Sequence, residues 1–148
     1  MFNAMIVAVL LALTSWYCAG QGDAGALASR VEQRGQASAM ASYRQAAVAW
    51  FSVHPDQYQG APVAQPVAPA GTGGFANYRL ADGTIVVYAL APRPGLTGEL
   101  LALSRRSQLV GRFSDGFFWP ALSGAPSAIA TPALAIPNGG PVWLAAAN

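Results

Sequence analysis

Hydrophobic and polar positions divide this chain into four stretches of different character. The first, "MFNAMIVAVLLALTSWYCAGQGD", holds about nineteen mostly apolar residues and no Lys or Arg. As a helix it would be about 28 Å long at 1.5 Å per residue. That just suffices for a hydrocarbon core of about 30 Å. Trp16 and Tyr17 close the run, and such rings favour the headgroup level. Residues 1–20 are therefore expected to be a membrane anchor. A cleaved signal needs a charged n-region and a small-x-small cleavage site. "MFNA" carries only its α-amino charge, so the retained anchor is favoured, with "CAG" or "AGQ" as the alternative cut.

The second stretch, 21–59, is helical. "QGDAGA" (21–26) reads as a flexible joint, and a helix is expected over about 26–53. Met40, Tyr43, Ala47, Trp50 and Phe51 recur at three- and four-residue steps and make one apolar face. Arg44, Gln45 and Ser52 fall off that face. Gly35 predicts a bend or frayed turn, because glycine costs about 1 kcal/mol relative to Ala. His54-Pro55 ends the helix, since proline disfavours the helical conformation in its predecessor.

Residues 60–74, "GAPVAQPVAPAGTGG", form a Pro/Gly-rich linker. The fourth stretch, 75–148, is β-rich. "FANYRL-ADG-TIVVYAL" and "QLVGRF-SDG-FFW" each place strand-like runs around an Asp-Gly, which is a hairpin signal. Between them a short helix buries Leu96, Leu100, Leu101 and Leu103. The chain turns at Asn138-Gly139 and ends in a strand over 142–145. The fold class expected is α+β: an N-terminal transmembrane helix, an amphipathic helix, then a small antiparallel sheet with a short helix.

Charge changes this picture little. Charged residues are 9% of the chain, against about 25% in an ordinary soluble domain. All eight basic residues are Arg, and only Arg105 and Arg106 are adjacent. A nucleic-acid binder would carry a basic stripe; the adjacent pair reads as a solvated helix end. The lone Cys18 cannot form an internal disulfide. Bulky Trp16-Tyr17 before it argues against lipidation.

Candidate chemistry is sparse. His54, the sole histidine, sits where a helix C-terminus favours a cation. The acids Asp23, Glu32, Asp56, Asp82, Glu99 and Asp115 are widely spaced, and Asp82 and Asp115 are already used by turns. "GTGGF" (71–75) lacks the Lys-Ser/Thr and following helix of a phosphate loop. Ser104 and Ser107 have no local base. No catalytic, cofactor-binding or metal-binding residue is assigned, and no enzyme activity is expected. Phe117, Phe118, Trp119 and Trp143 are a different matter. Consecutive strand residues alternate faces, so the run Phe117-Phe118-Trp119 cannot all enter one core. Either a two-sided β-core or an exposed protein-contact face accounts for them.

A pilin also joins an N-terminal apolar helix to an α/β head. Pilins carry a leader Gly before the apolar run and a Glu near its start, and both are missing here. "MASYRQAAVAWFSVHP" (40–55), "RSQLVGRFSDG" (106–116) and "AIPNGGPVW" (135–143) together resemble the PilM family of small type IVb, thin conjugative pilus proteins. Tyr43-Arg44 and the run Leu109, Val110, Gly111, Arg112 match most readily. The resemblance covers roughly 25–145, with the Pro-rich stretch 61–70 departing from it. It implies a non-catalytic, membrane-anchored scaffold or interaction protein of the pilus assembly apparatus, without a cofactor, whose partners are other pilus assembly proteins. The location implied is the bacterial inner membrane, single-pass, with the C-terminal domain periplasmic. Positive-inside counting read literally, from Arg30, Arg34 and Arg44, would instead put that domain in the cytoplasm. The alternative function is a periplasmic or secreted protein-binding module released by signal cleavage.

Overall fold

A computed structural model describes residues 2–54, 62–63, 74–129, 136 and 138–146, with side chains described from residue 25 onward except at 62–63. The chain forms two units, Met1–Glu32 and Gln33–Asn148. Helix α1 runs Phe2–Val53. No proline interrupts that span, which is why it stays helical through the glycines. The helix is continuous over 21–26 and through Gly35, so no non-helical joint or frayed turn interrupts it there. Glycine weakens a helix without blocking it, and a Cβ at Gly35 would meet nothing within 4 Å. Leu27 and Val31 of the first unit are exposed. The side chains of the expected anchor, 1–20, lie outside the description. Among the described residues no helix is long and apolar enough to cross a membrane.

The second unit is α+β. Its strands are β1 (Pro62–Val63), β2 (Phe75–Arg79), β3 (Thr84–Ala89), β4 (Val110–Ser114), β5 (Phe117–Pro120) and β6 (Pro141–Ala146). Helix α2 (Leu96–Leu103) lies between β3 and β4 in sequence. The strands form one antiparallel sheet in the order β1-β2-β3-β6-β4-β5. Strand β6 thus enters between β3 and β4, and α2 makes the connection that crosses it. The expected linker over 60–74 lies mostly outside the described residues. Its Pro62 and Val63 are a strand, in register with Tyr78 and Asn77.

Both expected hairpins form, with different turns. Leu80 N–H donates to Thr84 O at 2.8 Å and Gly83 N–H to Leu80 O at 3.0 Å. Gly83, at φ 86°, supplies the left-handed residue that closes this three-residue loop. The second hairpin turns on Asp115 and Gly116 alone, at φ 53° and 83°, the positive pair that a type I′ turn requires.

The sheet is buried on both faces, as strand alternation dictates. On one face Phe75, Ile85, Val87, Ala89, Val110, Trp143 and Ala145 pack with Ala37, Met40, Tyr43, Ala47 and Phe51 of α1 and with Leu96 and Leu100 of α2. On the other, Tyr78, Val86, Tyr88, Phe113, Phe118, Val142 and Leu144 pack with Leu80 and Ile136. The central strands β3 and β6 face both clusters, so "TIVVYA" and "PVWLAA" read as apolar runs rather than alternating ones. Two details correct the sequence reading. Leu103 is 50% exposed and Leu101 half-buried: Leu103 is the last residue of α2, and Leu101 lies about 100° around the helix from Leu100. Trp50 is half-buried at the edge of the core, where it stacks on His54 at 4.3 Å between ring centres.

Candidate functional site

The residues picked out for chemistry are mostly engaged in local structure. His54 Nδ1 lies 2.9 Å from Trp50 O, and its backbone N–H donates to Phe51 O at 3.3 Å. Its own carbonyl accepts from Arg79 Nη1 at 3.4 Å. His54 thus finishes α1, and the buried Arg79, stacked 5.1 Å over the Phe51 ring, puts a cation at the negative end of that helix. Asp82 Oδ1 accepts from Thr84 N–H at 2.9 Å, and Asp115 accepts from the Ser114 hydroxyl at 3.0 Å. Glu99 pairs with Arg34 at 3.5 Å. Among the described residues no three His, Cys, Asp or Glu come together as a metal set. Residues 71–73 of "GTGGF" lie outside the described residues, and Phe75 opens β2.

Ser104, Arg105 and Arg106 close α2. Ser104 N–H donates to Leu100 O at 2.9 Å and Arg106 N–H to Leu101 O at 2.7 Å. Both arginines take positive φ, 54° and 60°, and both are exposed, so the pair is a solvated helix end. Ser107 Oγ accepts from Leu109 N–H at 3.2 Å.

The aromatic run splits as alternation requires. Phe118 is 2% exposed and Phe117 44%. Trp119 is half-buried, donating Nε1–H to Ser114 O at 3.3 Å beneath Arg112, whose guanidinium lies 5.7 Å from the ring centre. Trp143 is buried in the helix-facing core, so it is not part of an exposed aromatic face.

The most informative residue is Arg44. The helical pattern sets it off the apolar face, yet it is half-buried. Its long stem follows apolar surface while the head finds a polar partner. Nε donates to Leu144 O at 3.0 Å, and the guanidinium lies 5.0 Å over the Trp143 ring. Leu144 N–H donates to Leu109 O, whereas Leu109 N–H turns to Ser107 Oγ. The Leu144 carbonyl is left past the start of β4, and Arg44 satisfies it. Burial pushes the Arg44 guanidinium below its ordinary value. Beside it Tyr43 accepts a hydrogen bond from Asn77 Nδ2 at 2.7 Å. Sequence reasoning missed Asn77 and Gln36. Gln36 holds the loop before α2, donating to Ala91 O and accepting from Arg93 N–H, both at 3.0 Å.

Two open clefts flank this part of α1. One, of about 370 Å³, is lined by Arg34, Ala37, Ser38, Glu99, Ala102 and Leu103. The other, of about 430 Å³, lies among Ser38, Ser42, Arg44, Gln45, Leu103 and Trp143. The second brings a cation, two hydroxyls, a carboxamide and an apolar wall to one place.

The sequence profile of the PilM family matches residues 7–144. The chain belongs to the PilM family. A crystal structure of a protein described as PilM from Escherichia coli B7A is similar, at 26% identity and a TM-score of 0.57, covering 78% of this chain and 92% of that one. Among curated proteins none matches. Tyr43-Arg44 and Gly111, which carry the PilM resemblance, both have structural work in this fold. A Cβ at Gly111 would overlap the Trp119 carbonyl oxygen and come within 2.6 Å of the Phe118 ring, so β4 and β5 can approach only with glycine there.

Proposed function

We propose that this protein is a non-catalytic, membrane-anchored component of a type IVb pilus assembly apparatus, working by protein contact. The observation that carries the reading is membership of the PilM family over residues 7–144. His54, Asp82, Asp115 and Glu99 are held at a helix end, in turns and in an ion pair. The anchor reading rests on the apolar run 1–19 and its Trp16-Tyr17 boundary. An anchor would confine the domain to the membrane surface and raise its effective concentration near other anchored components. In this proposal the domain lies on the periplasmic side of a bacterial inner membrane.

Deletion of the gene is expected to abolish thin pili while leaving the pilin in place. Normal piliation would sink the proposal. Mass spectrometry of membrane fractions tests the anchor: a full-length membrane-bound chain supports it, and a shortened soluble product would give the secreted binding module instead. Replacing every Asp and Glu by Asn and Gln in a folded variant is expected to leave some function. Complete loss with the fold intact would point to a carboxylate site.

A further inference from the structure

We propose that the cleft around Arg44 receives a carboxylate from an acidic segment of a partner protein, with an adjoining apolar side chain packed on Leu103. The inference rests on the reading that the protein works by contact, and it names the chemistry of the contact.

The argument starts from unspent donors. The Arg44 Nε–H bond to Leu144 O fixes the guanidinium plane over Trp143. The two Nη groups, which carry most of the N–H donors, form no bond among the described residues. No described carboxylate pairs with Arg44; the nearest cleft's Glu99 is held by Arg34. Ser38, Ser42 and Gln45 line the same cleft, and their side chains likewise bond nothing among the described residues. Burial removes part of the hydration of this cation, and Leu144 O with the Trp143 ring replaces it only in part, leaving the Nη groups to attract an opposite charge. A guanidinium already oriented has a fork that suits a carboxylate, and a two-pronged bond of this kind is stronger than a neutral one.

The surroundings narrow the ligand. Among the described residues Arg44 is the one cation lining this cleft, whereas a phosphate or nucleic-acid site usually gathers several. The apolar part of the lining is Leu103, half exposed, with Ala41 and Trp143. The pairing of one cation with an apolar wall and adaptable hydroxyls suits a peptide in which Glu or Asp stands next to an apolar residue. The cleft is open, about 430 Å³ in volume, and leaves Arg44 reachable from outside.

The test uses the full chain, ¹⁵N-labelled in non-ionic detergent, titrated with the peptide acetyl-Leu-Glu-Leu-amide and with its Gln counterpart. Saturable shifts are expected at Arg44 Nε–H and the Trp143 indole with the Glu peptide. Binding should weaken roughly tenfold or more with the Gln peptide, and should weaken with added salt. Gln45→Glu sets a resident carboxylate in the cleft at an exposed position and is expected to abolish the shifts with the fold intact. No saturable shift, equal affinity for both peptides, or shifts centred elsewhere would each overturn the proposal. In cells, Gln45→Glu should lose thin pili. Normal piliation with this variant, where the deletion strain has none, overturns the cleft proposal and leaves the assembly reading standing. Normal piliation in the deletion strain removes the assembly reading, while the titration still decides the cleft.

Discussion

Asn77 Nδ2 donates to Tyr43 Oη at 2.7 Å, joining α1 to β2 across 34 positions of sequence. Both residues are buried, and Asn77 Oδ1 has no partner among the described residues. The bond therefore has no solvent to fall back on. Tyr43→Phe strands a buried amide donor and is expected to cost about 1–3 kcal/mol. The double variant Tyr43→Phe/Asn77→Leu removes donor and acceptor together and should lose clearly less than the sum of the single changes. Urea unfolding followed by circular dichroism measures all three. Additive losses would show that the two side chains do not act as a pair.

Alkaline stability follows from the same tyrosine. Burial lifts the Tyr43 phenol above its ordinary value of 10.0; the Asn77 bond works against the rise and Tyr88 adds to it. Burial also raises Tyr88. With folded values above unfolded ones, the stabilisation is full below the unfolded value. It is lost as pH rises through the folded one, because the unfolded phenol ionises first. Melting temperatures measured between about pH 8 and 11 should fall above pH 10, and Tyr43→Phe should shallow that fall. A rise in stability over that range in the native chain would contradict the assignment.

Two glycines make opposite predictions. Gly111→Ala drives a methyl into the Trp119 backbone and the Phe118 ring, and backbone cannot swing away. A loss of about 3 kcal/mol is expected. Gly35→Ala enters open space in a helical stretch and should stabilise by roughly 0.5–1 kcal/mol. The two variants, compared by thermal unfolding, separate a glycine demanded by close approach from one that only weakens its helix. Neutral behaviour of Gly111→Ala would mean that β4 and β5 are not packed as described.

Much of the fold is legible because its signals are local. Asp82-Gly83 and Asp115-Gly116 mark two hairpins by turn chemistry, and the three- and four-residue spacing from Met40 to Phe51 marks the buried stripe of α1. The insertion of β6 between β3 and β4 is not local. "PVWLAA" pairs with strands more than 25 residues away, and nothing in its own residues selects those neighbours. The candidate site was hidden for a similar reason. Arg44 belongs to the site through a carbonyl that β4 leaves unpaired 100 positions later, and helical periodicity sees only a charge off the apolar stripe. Gly35 and residues 21–26 mislead in the other direction, since weak helix formers without proline leave a long helix intact.

The central claim is that this PilM-family chain serves pilus assembly. The most direct measurement is the number of thin pili per cell, by electron microscopy, in a deletion strain with and without the gene restored in trans, alongside an immunoblot for the pilin. The account predicts no thin pili and undiminished pilin in the deletion, with pili returning on complementation. Thin pili at normal number in the deletion strain would contradict it.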